Sequence, residues 1–284
     1  MSCSESKTVV ESTENSVEPH EQEQSFSTQQ IKELKTASKV VYNLPSPAEM
    51  AKILHETEAI YDVEILNNPK ASGQYYTDVT RALNLGVYFA DLSFTSMFDY
   101  PQQAMLYMSA AEQLSEELNI VGVFNKELME RLENNLTDKD SIMEIVSMTY
   151  MKTDFYLQEN DRSVLAKAIL AGAWVEGLFV ATKLNTPADK QNLVWEKIGE
   201  QKNALNNLIN MLDDCKEPQL AELLAQLRLL NESFNSVGVK EVPNHSDSSK
   251  STAVVYQKII VPADSEAAIE AAVKICRNNI VSGK

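Results

Sequence analysis

Glycine is scarce in this chain: 8 of 284 residues, about 3% against the roughly 7% usual in globular proteins. That shortage disfavours turn-rich β architecture and points to helices. Histidine and cysteine are scarcer still, at three each: His20, His55 and His245, and Cys3, Cys215 and Cys276. A ferritin-like di-iron bundle needs two facing Glu-x-x-His pairs, and the sequence has none. It also lacks His-Glu-x-x-His, Cys-x-x-Cys, a Gly-rich phosphate loop and a nucleophile elbow. No metal centre and no cofactor is therefore expected. A Cys215–Cys276 disulfide stays open, because sequence alone cannot fix a pairing. Positive charge is short too: 25 Lys and Arg against 41 Asp and Glu leave a net charge of −16. Phosphate binding needs clustered positive charge, so nucleic acid and anionic membrane surfaces are excluded as partners. A basic protein could still be steered in. Nor is there an unbroken run of 18 apolar residues, so no membrane-spanning helix is expected. The nearest candidate, Ile169 to Ala181, contains Glu176 and reads as a buried core helix.

What is present is helical amphipathicity. Residues 1–30 form an acidic Ser/Glu-rich tail; from 4 to 30 there are six Glu, one Lys and almost no large apolar side chains. Such a segment cannot bury enough surface to offset its ordering entropy, so it is expected to be disordered. Residues 31–284 read as a single all-α domain, an irregular multi-helix array of about nine or ten helices. Ser46-Pro47-Ala48-Glu49 carries the serine cap, first-turn proline and reciprocal glutamate of a capping box. Thr186-Pro187-Ala188-Asp189 repeats the pattern, Asp99-Tyr100-Pro101-Gln102 is a looser version, and Thr137 with Asp140 and Asn160 or Asp161 mark further starts. The expected helices span 47–67, 73–98, 100–119, 121–135, 138–159, 161–184, 187–213 and 217–236, with a weaker one at 29–40. The texture changes at 237–263, which reads as a hairpin or extended chain, and a last helix follows at 265–281. Cys276 lies on that helix's apolar face and reads as a small buried hydrophobe.

Helices 73–98 and 161–184 are apolar nearly all round and should be enclosed by the others. Their ionisable residues are the informative ones. Asn84, Tyr88 and Asp91 share one face of the first, and Asp78 can pair with Arg81 three residues on. In the second, Glu176 lies on the face with Ile169, Gly172, Ala173 and Val180, small enough to invite a neighbouring helix. An unpaired buried carboxylate is costly. Asp78, Arg81, Asn84, Tyr88, Asp91 and Glu176 are therefore either ligand-binding residues of a pocket between the central helices or partners of tyrosines, asparagines and helix ends that set helix register. Tyr150, Asp154, Tyr156 and Arg162 read as a network joining two helix ends, and His55-Glu56 as a solvated face.

Several stretches taken together carry a resemblance. They are Tyr42-Asn43-Leu44-Pro45-Ser46-Pro47-Ala48-Glu49, Ala82 to Ser93 around Gly86 and Asp91, Gly172-Ala173-Trp174-Val175-Glu176-Gly177-Leu178, and the terminal Ile275-Cys276-Arg277-Asn278-Asn279-Ile280-Val281. From about residue 40 to 282 the chain resembles uncharacterised helical secreted proteins and lipoproteins of Bacteroidetes-type bacteria. No activity travels with that resemblance. It implies an envelope location, with Cys3 as the lipidated residue and 4–30 as its tether; the chain as given shows no signal peptide ahead of Cys3, and a cytoplasmic protein is the alternative. Three functions follow as expectations. The first is a non-enzymatic, lipid-anchored binding or interaction module with a protein or small-molecule partner. The second is a binder of a small polar ligand or cation at Asp91 and Glu176. The third is a hydrolase or lyase using those carboxylates as acid and base, which requires a solvent-reached cleft. Oligomeric state is open.

Overall fold

The computed structural model describes residues 44–120, 122–135, 138–215, 217–243 and 255–283. Cys3, the tail at 1–30, the expected helix at 29–40, His20 and His245 lie outside them. The described chain is an all-α multi-helix array. Its helices are α1 (Pro47–His55), α2 (Asp78–Met97), α3 (Pro101–Glu117), α4 (Lys126–Asn134), α5 (Lys139–Glu159), α6 (Ser163–Lys183), α7 (Gln191–Glu200), α8 (Lys202–Asp213), α9 (Ala221–Ser233) and α10 (Ala263–Ser282). Short 3₁₀ turns at Val63–Ile65, Pro69–Gln74 and Pro218–Leu220 join them. Strands β1 (Gly238–Pro243) and β2 (Val255–Ile260) pair antiparallel, with Gly238 opposite Ile260, so the described parts of the 237–263 segment pair as the two arms of a hairpin.

Several boundaries are shorter than the periodicity predicts. The helix expected over 47–67 stops at His55. The Thr57 hydroxyl donates to the Leu54 carbonyl (2.6 Å) and Glu58 takes a left-handed φ of 58°, which ends the turn. Ile60 then leaves to pair with Asn185, its amide donating to the Asn185 carbonyl at 2.8 Å. The expected 187–213 helix is two. Pro187–Lys190 is a turn, α7 starts at Gln191 without a side-chain cap, and Gln201 breaks the run by donating to Ile198 three residues back. At that break Gly199 leaves room for Ile259, Val261 and Val237 of the hairpin region, which a Cβ would meet at 2.5 to 3.3 Å. The start expected at Asn160 or Asp161 is capped by neither: Arg162 is the residue ahead of α6. Asp138 caps α5 through the amides of Asp140 and Ser141. The Ser46 capping box forms as its sequence predicts, Oγ to Glu49 N at 3.2 Å and Ser46 N to Glu49 Oε2 at 2.9 Å.

α2 and α6 form the centre. From Ala82 to Ser96 and from Ala168 to Ala181 every residue is buried. α6 is long and apolar enough to cross a membrane by length and composition, more so than the 169–181 stretch indicates, yet 89% of its apolar window is buried inside the fold. It is the core helix here. The two helices touch backbone to backbone: a Cβ on Gly86 would lie 1.9 Å from the Ile169 carbonyl oxygen, and one on Gly172 would lie 1.9 Å from that of Leu83. They run in the same direction, because Asp78 at the start of α2 meets Arg162 at the start of α6 (3.6 Å) while Asp91 and Glu176 meet further along. α1, α3 and α5 pack on α2, and α10 lies across the pair with α9 behind it. α10 runs antiparallel to α6: its Glu270 bonds Lys183 and its Arg277 bonds Glu176 one turn and more back along α6. Cys215 and Cys276 are both free thiols, so the disulfide left open by the sequence is not formed; Cys276 is fully buried and burial pushes its thiol up to about 12.

Candidate functional site

The face of α2 singled out by spacing points into the junction of α2, α6 and α10. Asn84, Tyr88 and Asp91 are all fully buried, as is Glu176 on α6. Because the two glycines let the helix backbones touch, residues one turn beyond the crossing are brought into side-chain reach, and the carboxyl groups of Asp91 and Glu176 meet.

Arg277 of α10 completes the cluster. Its Nε–H donates to Glu176 Oε2 at 3.1 Å and its Nη2–H to Oε1 at 3.3 Å, a two-point contact that occupies both carboxylate oxygens. The guanidinium also stands 4.8 Å from the Phe179 ring centroid, and its side chain is 14% exposed. Asp91 has less support. Its Oδ2 accepts the Asn67 backbone N–H at 3.1 Å, and its Oδ1 has no donor among the described residues. Burial first, and the Glu176 charge second, raise the Asp91 carboxyl well above the usual carboxylate range, against the opposing pull of Arg277 and the Asn67 amide. Burial also raises Glu176, while Arg277 pulls it down. The carboxyl to carry a proton is therefore Asp91, because Glu176 holds the guanidinium.

A shell of tyrosines fixes the amide that Asp91 uses. Tyr107 Oη on α3 donates to the Asn67 carbonyl (2.9 Å), and Tyr88 Oη donates to the Asn68 carbonyl (3.0 Å). The Asn67 side chain donates through Nδ2 to Tyr75 Oη (3.2 Å), which in turn donates to the Val281 carbonyl of α10 (3.5 Å). Asn84 Nδ2 bridges the Thr80 and Ile280 carbonyls, both at 2.9 Å. Tyr61 stacks on Tyr100 with centroids 3.8 Å apart, and its buried hydroxyl has no partner among the described residues. Burial holds the Tyr61, Tyr88 and Tyr107 hydroxyls well above the ordinary tyrosine range, so all three are neutral, and Tyr88 and Tyr107 donate.

Four of the six ligand-binding candidates thus come together: Asn84, Tyr88, Asp91 and Glu176. Asp78 and Arg81 do not. Arg81 is held by Glu117 (2.7 Å) and stands 3.7 Å from Asp78, which also faces Arg162, forming a partly exposed network at the opposite end of α2. The cation of the buried cluster is Arg277, which spacing did not single out. Its signal was available: residue 277 falls four after Val273 and three before Ile280, inside the apolar stripe of the last helix. Tyr61, Asn67, Tyr75 and Tyr107 were also missed, since they come from loops and a third helix. The junction network appears in altered form: Arg162 donates to the Leu118 carbonyl (2.6 Å) and Tyr156 to that of Asn119 (3.2 Å), while burial raises Asp154 to about 6. Among the described residues no group of three or more His, Cys, Asp or Glu is placed to hold a metal ion. No protein-family model, curated protein or solved structure matches the chain.

Proposed function

We propose that the chain is a non-enzymatic helical binding or interaction module of the bacterial cell envelope, tethered through Cys3. The observation that supports the non-enzymatic part is the two-point contact of Arg277 with Glu176, which commits both carboxylate oxygens to fastening α10 onto the central pair. A general acid–base pair needs carboxyls that exchange protons with a substrate in reach. Asp91 and Glu176 are both sealed at 0% exposure, which leaves the hydrolase or lyase reading the weakest of the three. The tether rests on Cys3 and the polar tract 4–30 of the sequence. Mass spectrometry of the protein isolated from its own cells tests it. Acyl chains on Cys3 support the envelope assignment, and a native chain beginning with an unmodified Met1 overturns it in favour of the cytoplasm.

One observation favours a second reading, a small polar ligand or cation held in the interior. Asp91 Oδ1 and Tyr61 Oη are both buried without a hydrogen-bond partner among the described residues, and Asp91 acts on Tyr61 electrostatically. Buried polar atoms in that state call for an occupant. Native mass spectrometry of the same preparation reads this directly: a retained small molecule lost in Asp91→Asn and Glu176→Gln supports it, and a ligand-free mass rejects it.

A further inference from the structure

The buried cluster contains more negative charge than cation. Two carboxyl groups, Asp91 and Glu176, are sealed from water, and the guanidinium that reaches them gives both of its bonds to Glu176. The other groups around the pair are Tyr88 from α2, Tyr107 from α3, Asn67 from the segment before α2, with Tyr75 bonded to it, and Tyr61, with Asp62 beside it, from the segment after α1. None of these is a cation. With both acids ionised, one full negative charge would stand unmatched in the interior, a state that buried carboxyls avoid by taking up a proton.

We propose that a proton bound at Asp91 and shared with Glu176 is a resident ligand of this cluster and the latch that keeps α10 seated on α2 and α6. The balance is simple: the Asp91 carboxylate takes one proton, its hydroxyl donates to the Glu176 carboxylate, and Glu176 keeps both oxygens on Arg277. When the proton leaves, two carboxylates compete for one guanidinium and repel each other. Arg277 is an internal tie in the second half of α10, between the Lys183–Glu270 pair two turns before it and the Asn84 bond to Ile280 and the Gln74 and Tyr75 bonds to Val281 one turn after it. Alkaline medium therefore loosens α10 at Arg277. The unfolded chain releases this proton near pH 4, whereas the fold holds it to a higher pH. The stability Asp91 confers is complete below about pH 4 and is lost as the pH rises through the folded value. The inference goes beyond the tether and the interaction reading, and stands whether or not either holds.

Carbon-13 NMR of aspartate-labelled full-length protein tests it, titrated from acid to alkaline pH, with hydrogen exchange of the α10 amides read in parallel. A protonated aspartic carboxyl persists at pH 7 and is missing from Asp91→Asn. Exchange in α10, corrected for the intrinsic rate, accelerates by roughly tenfold or more above the pH at which that signal disappears, and Asp91→Asn shows no such step. Glu176→Gln removes the second negative charge instead, so Arg277 then matches Asp91 and the protonated signal vanishes as well. Fully ionised aspartates in the wild type at pH 7 would overturn the proposal, and that reading needs no variant to fold. So would α10 exchange that ignores the titration. Loss of the protonated signal on adding sodium or potassium chloride at fixed pH would also overturn it, reassigning the site to a monovalent cation.

Discussion

Arg277 and Glu176 depend on each other unequally. Removing the arginine leaves Glu176 fully buried with no cation, whereas a methionine at 277 keeps most of the packing against Phe179. Breaking a buried pair by deleting one partner costs about 3–5 kcal/mol, and Arg277→Met is expected to fall in that range in urea unfolding at pH 7. The loss should shrink in acid, where a protonated Glu176 no longer needs the guanidinium. A loss that is the same at pH 4 and pH 7 would mean that packing, not charge, is what Arg277 supplies. At this scale the sequence was informative in one direction. A carboxylate among apolar neighbours, as at Asp91 and Glu176, stands out within its own helix, so the two acids were legible. Their cation lies about a hundred residues further along the chain, and no local pattern links positions 176 and 277. Asp78 and Arg81 do stand together, 3.7 Å apart, but outside the buried cluster: three-residue spacing guarantees proximity on a helix surface and says nothing about where along the helix the core cluster sits.

The closeness of α2 and α6 rests on two positions in those elements. Gly86 and Gly172 each face a carbonyl of the opposite helix at a distance that no Cβ tolerates, and a backbone atom cannot swing aside as a side chain can. Gly86→Ala should therefore cost at or above about 3 kcal/mol, the upper end for overpacking, and push Asp91 and Glu176 apart. Gly177, on the same helix, has only Met50 side-chain atoms at 3.6 Å. Gly177→Ala should leave the fold intact and add about 0.5–1 kcal/mol through the helical backbone. Thermal unfolding of the two alanine variants beside the wild type distinguishes them, and equal effects would refute the contact as described. The Ser46 box makes a smaller claim: Ser46→Ala should cost about 1 kcal/mol, read by the same melts. Helix cores were legible because amphipathic stripes repeat locally. Helix ends were less so where tertiary partners decided them. Ile60 is drawn off to Asn185, and the hairpin lies against Gly199 just before the break at Gln201, and both partners are distant in sequence.

Across the whole molecule the question is whether α10 opens alone or only with everything else. Its inner face, Ile269, Val273, Cys276 and Ile280, belongs to the same continuous core as Leu85 and Val87 of α2 and Val175 and Leu178 of α6. A shared core favours one cooperative unit, in which no part exposes its apolar face before the rest unfolds. Cys276 reports on this directly, being fully buried with a thiol that burial pushes up to about 12, so in the folded protein it should not react with a thiol reagent. In a background with Cys3 and Cys215 replaced by serine, labelling of Cys276 in the wild type at pH 7 should follow the global unfolding curve as urea is raised. Arg277→Met removes the ionic tie between α10 and α6 but leaves the α2–α6 crossing untouched. In that variant Cys276 should label at urea concentrations where circular dichroism still reports the native helix content. If labelling and helix loss instead coincide in both proteins, α10 has no opening of its own and the Arg277 contact stabilises the array as a whole. If they separate already in the wild type at pH 7, the shared core does not bind α10 into the cooperative unit, and the last helix is a mobile cover over the central pair even with its latch in place.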